Sequence, residues 1–408
     1  MREEGDLESV DQQVSVIMQC SEFGDLQIKE MMTSELRQKL TEAQAEGRPL
    51  RVYCGYDVTA PDIHLGHMVI LRKMRQFQDF GHEVTFLIGT FTTLIGDPSD
   101  RDEARKIALE EDIRKNAQTY ADQALKILDP VKTKIRYNYE WLSKLTFADV
   151  ISMASCFTVQ QFLVRDRLRN RYDKNDPIWL RELLYPLAQG YDAVSLQADV
   201  QIGATEQLFN LMAGRKLQEV YGQKPQVCIT YPVLVGTDGV QRMSKTTGNY
   251  IGVDEPPEQI YGKVMSIRDE AIIPYFELLT DVPESELRGM KKQLDSGVNP
   301  MMLKKRLARD IVNQLYGKKS ADEAEEHFEK VVQKKEEPDE IEEYTLINDM
   351  FLSQLMTQAG LCSSRSEAVR LIKQGAVTIN GQKVSGINHL VSRGATIKVG
   401  KRRYLKTT

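Results

Sequence analysis

The chain has 408 residues, of which 41% are hydrophobic and 28% are charged, and its formal net charge is −5. This length and composition predict a soluble globular protein with two or three domains. A membrane protein is excluded, because no apolar run reaches the roughly 18 residues that a membrane-spanning helix needs. The acidic N-terminus indicates no signal or transit peptide, and five scattered cysteines are typical of a reducing compartment, so we expect a cytoplasmic location.

The N-terminal third of the chain has the pattern of a nucleotide-binding fold. Residues 1–50 are rich in helical patterns, and a strand is predicted at 51–56. A helix follows and ends at Gly81, before a second, buried strand at 82–89. This order of strand, helix and strand predicts a parallel sheet with a right-handed crossover. We therefore expect an α/β fold with a Rossmann-like domain over residues 51–250.

His64-Leu-Gly-His67 lies where the first strand turns into its helix. A helix N-terminus offers unpaired N–H groups and a positive dipole end, so it is suited to bind phosphate. Gly66 lacks the side chain that would keep a flat ring or a phosphate from the backbone. Two imidazoles three residues apart can donate to the same anion. From this tetrapeptide alone, a metal pair or two ordinary histidines remain open, although no third ligand stands at metal spacing.

The middle of the chain is mainly helical in pattern. Helical periodicity covers 103–185, apart from a strand near Lys134, and returns over 256–333. A further strand is predicted at 194–200. The charged, Pro-containing stretch at 334–345 is the best linker candidate.

Arg242-Met-Ser-Lys-Thr246 follows a predicted strand and turn at 233–239. Two cations that flank a serine on a Gly-bordered loop suit a mobile clamp on polyphosphate. By itself the motif is weak, because a lysine on an exposed loop is usually only solvated.

The C-terminal segment is basic, whereas the rest of the chain is acidic. Residues 351–408 carry ten Lys and Arg against one Glu, or +9, so the other 350 residues carry −14. A helix with a serine cap is predicted at 363–375, and a hairpin with an Asn-Gly turn at 376–383. A basic module on an acidic body is typical of a nucleic-acid-binding appendage, and its apolar periodicity disfavours a merely solvated tail.

The two short motifs together resemble the paired signatures of class I aminoacyl-tRNA synthetases. Four further segments narrow the resemblance to bacterial-type tyrosyl-tRNA synthetases: Tyr53-Cys-Gly-Tyr-Asp-Val-Thr-Ala-Pro, Gly96-Asp-Pro-Ser, Tyr185-Pro-Leu-Ala-Gln-Gly-Tyr-Asp and Gln201-Ile-Gly-Ala-Thr-Glu-Gln. The resemblance extends from about residue 30 to the C-terminus. It implies a ligase that activates L-tyrosine with ATP to tyrosyl-adenylate and transfers the tyrosyl group to the 3′-terminal ribose of tRNA(Tyr).

The resemblance implies a tyrosine site in which Tyr53 and Asp192 read the substrate phenol. A pocket built to pair a hydroxyl is left with unpaired polar groups when phenylalanine enters. Tyr185, Gln189 and Asp192 are spaced i, i+4 and i+7, which places them on one helix face. The positions that match contacts to the substrate's ammonium are Asp97, Tyr185 and Gln189, and those near its carboxylate are Gln201 and Gln207. For Asp97, a turn carboxylate is the alternative.

The resemblance also implies an ATP site that acts by orientation and charge stabilisation, with no side chain as nucleophile or base. Thr59 and His64 match residues that bind the γ-phosphate, and His67 matches a nucleotide contact. Arg242 and Lys245 match the clamp on the β- and γ-phosphates. Further positions that match are Cys54, Gly55, Asp57, Gly66, Arg101, Arg105, Gly203, Glu206, Met243, Ser244 and Thr246. Arg101 and Arg105 could equally be solvated. Mg²⁺ is expected to travel with ATP, and neither a protein metal site nor a tightly bound cofactor is implied.

Some residues depart from the family's pattern on the ribose side. Ala204 and Glu206 stand where many members have Gly and Asp, and Arg242 replaces the usual first Lys of its motif. Two alternatives to the ligase therefore remain: a weakened paralogue that acts as a scaffold for structured RNA, and a paralogue that activates a tyrosine analogue.

The resemblance also implies the remaining organisation of the chain. Residues 251–333 are expected to form a helical domain near the anticodon stem, and a helical insertion at about 120–185 a homodimer interface. Residues 346–408 resemble a small α+β RNA-binding module named for a ribosomal small-subunit protein. Its implied contacts to RNA phosphates are Arg365, Arg370, Lys373 and Lys383.

Overall fold

The computed structural model describes residues 9–59, 62–99, 110–164, 166–333, 341–346, 348–362, 364–384, 386, 389–400 and 403–408. The chain forms two compact units, Met1–Gly317 and Lys318–Thr408. Among the described residues, no helix combines the length and the apolar character that crossing a membrane requires.

A five-stranded sheet lies within the first unit, and its strands are all parallel in the order β3-β2-β1-β4-β5. The strands are β1 Arg51–Tyr56, β2 Glu83–Ile88, β3 Thr133–Tyr137, β4 Val200–Ala204 and β5 Val227–Tyr231. The strand order reverses between β1 and β4, so the carboxyl ends of these neighbours border the crevice where such sheets bind ligands. The predicted α/β fold with a parallel sheet is confirmed.

Helices surround this sheet. They are α1 Val10–Met18, α2 Leu26–Ala45, α3 Leu65–Asp79, α4 Thr92–Ile95, α5 Glu110–Ala124, α6 Tyr139–Leu142, α7 Phe147–Ala154, α8 Val159–Leu163, α9 Asp166–Asp173, α10 Leu180–Leu196, α11 Leu208–Val220, α12 Pro257–Met265, α13 Ile272–Leu279, α14 Glu284–Asp295 and α15 Met301–Tyr316. Single 3-10 turns lie at Thr205–Gln207 and Asp269–Ala271. The core contains fully buried aromatic side chains of α3 and β2, Phe77 and Phe86, as expected for a sheet covered on both faces.

The strand predicted at 194–200 begins later than expected: β4 starts at Val200, and residues 194–196 belong to α10. The helix continues through Leu196 and ends at Gln197, which has a φ of 47° and is the left-handed C-cap. The apolar run that suggested a strand is the buried helix face, where Val194 packs with Leu217 of α11. A short apolar run does not distinguish these two environments.

The strand predicted at the start of 233–239 is wrong, because the neighbouring strand β5 lies before these residues. β5 stops at Tyr231, and Pro232 follows, which has no N–H to donate to a neighbouring strand. Val235 forms only an isolated bridge with Arg242.

The second unit begins with α16 Lys318–Phe328 and a π-helical turn at Glu329–Gln333. Its later elements are β6 Glu343–Tyr344, β7 Met350–Phe351, α17 Leu352–Gln358, α18 Arg365–Lys373, β8 Val377–Ile379, β9 Gln382–Lys383, β10 Leu390–Val391, β11 Thr396–Val399 and β12 Arg403–Thr407. A sheet of order β6-β12-β11-β8-β9 packs its buried side on α17 and α18 around Leu352 and Ile372. The predicted Asn-Gly hairpin is confirmed, since Asn380 and Gly381 both have positive φ.

Candidate active site

His64 and His67 cap the N-terminus of α3 reciprocally. The Nδ1 atom of His64 accepts a hydrogen bond from the Gly66 N–H at 3.1 Å, and the His64 N–H donates to Nδ1 of His67 at 3.2 Å. The ring centroids are 4.0 Å apart. Because each Nδ1 is an acceptor, the proton of each neutral ring lies on Nε2. The N-terminus of α3 therefore presents two imidazole N–H donors, and we call this pair the histidine junction.

Both histidines are neutral at pH 7. Burial lowers the pKa of His64 to about 2, with added effects from His67 and the cations Lys245 and Arg242. Burial and the same two cations lower the pKa of His67 to about 4. A ring that does not titrate near neutral pH can donate a hydrogen bond to an anion, but it has no proton to exchange.

Gly66 is required by a close approach within the motif itself. A Cβ atom at this position would lie 2.9 Å from both Nδ1 and Cε1 of His64 and 3.7 Å from Cβ of Met243. The flat ring that the sequence analysis placed against Gly66 is therefore, in this structure, that of His64.

The cationic loop is held to its surroundings by two ion pairs. Nη1 of Arg242 lies 3.2 Å from Oε1 of Glu206, in the turn after β4. Nζ of Lys245 lies 2.7 Å from Oδ2 of Asp62, just before α3. The carboxylates of Asp62 and Glu206 thus bring both cations to the carboxyl edge of the sheet.

Asn249 organises the backbone of the same loop. Its Oδ1 accepts the N–H of Ser244 at 2.8 Å, and its Nδ2 donates to Oδ2 of Asp238 at 2.8 Å and to the Arg242 carbonyl at 3.0 Å. A Cβ on Gly236 would overlap this amide, with 2.2 Å to Nδ2. The loop conformation is therefore fixed by hydrogen bonds independent of its two ion pairs.

The two motifs, which are far apart in sequence, are joined through the backbone. The Leu65 N–H donates to the Ile251 carbonyl at 2.9 Å, and the Val253 N–H donates to the Ile63 carbonyl at 3.0 Å. This bridge fixes the start of α3 relative to the end of the cationic loop.

The predicted phenol-reading pair is buried. Tyr53 on β1 is 1% exposed, and its hydroxyl makes no hydrogen bond of normal geometry within the described residues, although the amide of Gln226 lies near it. Asp192 on α10 is 3% exposed, and burial raises its pKa to about 8, although hydrogen bonds from Trp141 and Asn138 oppose this rise. An unpaired hydroxyl beside a buried carboxyl marks a place for a polar substrate group.

Sequence analysis missed two residues that orient Asp192. Nε1 of Trp141 donates to Oδ1 at 2.7 Å, and Nδ2 of Asn138 donates to Oδ2 at 3.2 Å. Asn138 directly follows β3, and a polar residue at the carboxyl end of a parallel strand was a usable signal. Trp141 offered no comparable signal, because its contact depends on a residue 51 positions later.

A polar network connects Asp192 with the end of β1. Nδ2 of Asn138 donates to Oγ1 of Thr92 at 3.0 Å, which donates to Oδ1 of Asp57 at 2.7 Å. The hydroxyl of Tyr185 donates to Oδ2 of Asp57 at 3.2 Å. The structure thus brings Asp57, Tyr185 and Asp192 together, with Thr92 as a further residue that the sequence analysis missed.

Asp97 is a turn carboxylate that also accepts a hydrogen bond from Gln207. Its Oδ1 accepts the N–H and the hydroxyl of Ser99 at 2.9 and 2.6 Å, as a turn carboxylate does. Its Oδ2 accepts from Nε2 of Gln207 at 2.6 Å, so Asp97 also lies beside a predicted substrate contact. Gln201 on β4 is buried and accepts from Gln226 at 2.6 Å, whereas Gln189 is half-buried on α10.

The remaining nucleotide positions differ in exposure. Burial raises the pKa of the Cys54 thiol to about 12, so it is a neutral thiol within the sheet. A Cβ atom at Gly203 would lie only 3.1 Å from Cδ1 of Leu211. Gly55, near the carboxyl end of β1, and Thr59, three residues after the strand, are exposed. Arg101 and Arg105 lie outside the described residues.

The four basic residues predicted to bind RNA all lie on the surface of the second unit. Arg365, Arg370 and Lys373 are exposed on α18, and Lys383 is exposed on β9.

Comparison with known proteins matches both units to families. Residues 45–333 match the family model of tRNA synthetases class I (W and Y), and residues 352–397 match the S4 domain. A tyrosine–tRNA ligase of Carboxydothermus hydrogenoformans is 50% identical, over 91% of this chain and 93% of its own. One of Geobacter sulfurreducens is 48% identical, over 93% and 95%. Tyrosyl-tRNA synthetase of Archaeoglobus fulgidus, solved with L-tyrosine, shares the fold at a TM-score of 0.60 and 22% identity, covering 78% of this chain and 100% of that one.

Proposed function

We propose that this chain, which belongs to the class I tRNA synthetases for tryptophan and tyrosine and is a tyrosine–tRNA ligase, performs both reaction steps at the site described above. In the first step, a carboxylate oxygen of L-tyrosine attacks the α-phosphorus of ATP, and the bond to the β-phosphate breaks as pyrophosphate leaves. In the second step, the 3′-terminal ribose hydroxyl of tRNA(Tyr) attacks the tyrosyl carbonyl, and AMP leaves.

The observation that carries the tyrosine assignment is the buried pair of Tyr53 and Asp192. The substrate phenol supplies the hydrogen-bond partner that the Tyr53 hydroxyl lacks among the described residues, and it donates to the carboxylate of Asp192. Phenylalanine would leave both groups without that partner, which costs affinity in a dry pocket. Tyr185, Gln189 and Asp97 supply oxygens for the substrate's ammonium.

His64 and His67 act in the first step as neutral donors. Their Nε2–H groups point charge-stabilising hydrogen bonds at the phosphates as negative charge shifts towards the leaving pyrophosphate. Arg242 and Lys245 neutralise the same charge, and Thr59 adds a hydroxyl at the edge of β1. Mg²⁺ arrives with ATP and is held by phosphates and water.

The second unit supplies affinity for RNA. The exposed side chains of Arg365, Arg370, Lys373 and Lys383 would contact phosphates of structured tRNA, which gives salt-dependent binding with little base reading. We place the enzyme in the cytoplasm, where its tRNA substrate and a reducing environment for five free cysteines coincide.

A homodimer is supported by the apolar surface of the helical insertion. Phe147, Val164 and Leu180 are 80%, 76% and 75% exposed, which is unusual for large apolar side chains grouped in one region. A neighbouring apolar cleft of about 430 Å³ is lined by Phe157, Val164, Phe209 and Met212, among others. Sedimentation equilibrium that detects only monomer at micromolar concentration would contradict the dimer.

Tyrosine-dependent exchange of labelled pyrophosphate into ATP tests the proposed first step. We expect exchange with purified protein and L-tyrosine, and tyrosyl transfer when tRNA(Tyr) is added. No exchange under any substrate condition would overturn the ligase assignment. Exchange that prefers a ring-substituted analogue over tyrosine would instead support the analogue-activating alternative.

A further inference from the structure

Both cations of the 242–246 loop are paired with carboxylates that lie outside the loop. Lys245 contacts Asp62 at 2.7 Å, and Arg242 contacts Glu206 at 3.2 Å. The two carboxylates come from different elements, one at the start of α3 and one after β4. Both positive charges proposed to meet ATP phosphates are therefore compensated by carboxylates of this chain.

The Asp62–Lys245 pair is suited to exchange. The side chains of Lys245 and Asp62 are 21% and 45% exposed, and ion pairs at such exposure are worth little and break readily. The loop backbone does not depend on the pair, because the Asn249 amide already fixes it. An incoming anion can therefore take the ammonium without unfolding the loop.

The pair also keeps the ammonium beside the histidine junction. Nζ of Lys245 lies 5.8 Å from the ring centroid of Tyr250, and this ring lies 6.2 Å from that of His64. A cation over an aromatic face is held without being neutralised. Lys245 therefore needs only to turn from Asp62 to meet a phosphate at His64.

We propose that Asp62 is an intramolecular competitor of ATP: its carboxylate occupies the Lys245 ammonium at the phosphate site, and the triphosphate must displace it. The inference rests on the proposed function, since it needs ATP as the ligand of Lys245. Glu206 performs the matching task for Arg242, and its extra methylene, compared with the aspartate common in the family, gives it reach towards that arginine.

This role predicts an unusual phenotype for Asp62→Asn. Removal of the competing carboxylate makes Lys245 available, so the dissociation constant and the KM for ATP should fall roughly two- to fivefold, the range for a partly exposed ion pair. The KM for tyrosine and the melting temperature should not change. Binding of AMP, which lacks the phosphates that Lys245 meets, should also remain unchanged.

The experiment measures equilibrium binding of ATP and AMP, and pyrophosphate exchange, for the parent protein and five variants. Asp254→Asn is the matched control. It removes one carboxylate charge, as Asp62→Asn does, but Asp254 pairs with Lys126 instead of Lys245. Asp62→Glu keeps the charge and should resemble the parent. Lys245→Met and the double variant with Asp62→Asn should bind ATP equally weakly, because the carboxylate acts only through the ammonium.

Unchanged or weaker ATP binding by folded Asp62→Asn would overturn the inference. So would an equal gain in Asp254→Asn, or a gain that persists in the Lys245→Met background, because either result would indicate a general charge effect. Pyrophosphate exchange by the parent protein tests the proposed function. The inference about Asp62 is tested separately, by the ratio of ATP binding between each variant and the parent.

Discussion

Asp192 is a buried carboxyl group, and its burial disfavours the ionised form. Burial raises its pKa to about 8, and among the described residues Trp141 and Asn138 donate hydrogen bonds to it. In this state the carboxyl is poised to gain from a further donor. A phenol hydroxyl is such a donor, which explains why an otherwise unfavourable acid is placed opposite Tyr53.

Asp192→Asn should therefore affect tyrosine far more than ATP. We expect kcat/KM for tyrosine in pyrophosphate exchange to fall about 10- to 100-fold, because a neutral amide replaces the carboxyl group that accepts the phenol's hydrogen bond in a buried site. The KM for ATP should stay within about twofold of the parent value. The advantage of tyrosine over phenylalanine should shrink in parallel, and an undiminished preference for tyrosine would show that another group reads the phenol.

The junction of β1 and α3 depends on Gly66 in a way that differs from most glycines of the chain. A Cβ at Gly66 would collide with the His64 ring at 2.9 Å, whereas a Cβ at Gly289 within α14 would meet nothing within 4 Å. Alanine at Gly289 should therefore show only the stabilising effect of alanine on a helix, whereas alanine at Gly66 should also damage the proposed phosphate site.

Gly66→Ala should displace His64 and lower kcat for exchange by at least about 10-fold, the order expected for a lost oxyanion donor. The KM for tyrosine should change little, because Tyr53 and Asp192 lie elsewhere in the site. Gly289→Ala should leave exchange intact and stabilise the protein by up to about 1 kcal/mol, as measured by urea unfolding. If both variants had the same activity, the packing argument for Gly66 would be refuted.

The elements that sequence predicted well are those whose cause is local. The turn at Asn380 and the strand at 51–56 follow from turn chemistry and apolar patterning within a few residues. The strand assigned to 194–200 was started six residues too early, because Val194 serves a helix–helix contact with α11, which no local pattern reveals.

The same distinction applies to the candidate site. Motif spacing indicated His64, His67 and the cationic loop, and the structure brings them together at one sheet edge. Asp62 and Trp141 escaped notice, because their partners lie 183 and 51 residues away and are brought close only by folding. Pairwise contacts of this kind require the tertiary structure.

At the scale of the whole molecule, three buried neutral histidines make the free energy of unfolding depend on pH. Burial lowers the pKa of His67 and of His82 to about 4, and that of His64 to about 2. The folded-state pKa lies below the unfolded value of about 6.5, so the unfolded chain takes up protons first as pH falls. Stability from these groups is present above pH 6.5. The share from His67 and His82 is lost between about pH 6.5 and 4, and that from His64 continues to be lost down to about pH 2.

His82 lies outside the proposed site and provides a clean test. Between pH 7 and pH 5, His82→Gln should lose about 2 kcal/mol less free energy of unfolding than the parent, as urea titrations at both pH values would measure. Equal losses in the two proteins would mean that His82 titrates normally when folded.

The two compact units should separate the two activities of the enzyme. Charge reversal by Arg370→Glu and Lys373→Glu on α18 should raise the KM for tRNA(Tyr) at least about 10-fold and reduce its salt dependence. Pyrophosphate exchange, which needs no RNA, should be unaffected. Lys319→Glu on α16 is a control for charge alone, and a loss of exchange in the α18 variants would contradict this division of labour.

The backbone bridge that joins residues 63–65 to residues 251–253 has a consequence for biosynthesis. During translation, the start of α3 leaves the ribosome about 190 residues before the segment that pairs with it. A long-range pairing of this kind closes late in folding, because the chain between must first be ordered. A nascent or truncated chain that stops short of Val253 therefore lacks the support of its phosphate site, so premature termination products of this gene should be inert towards ATP.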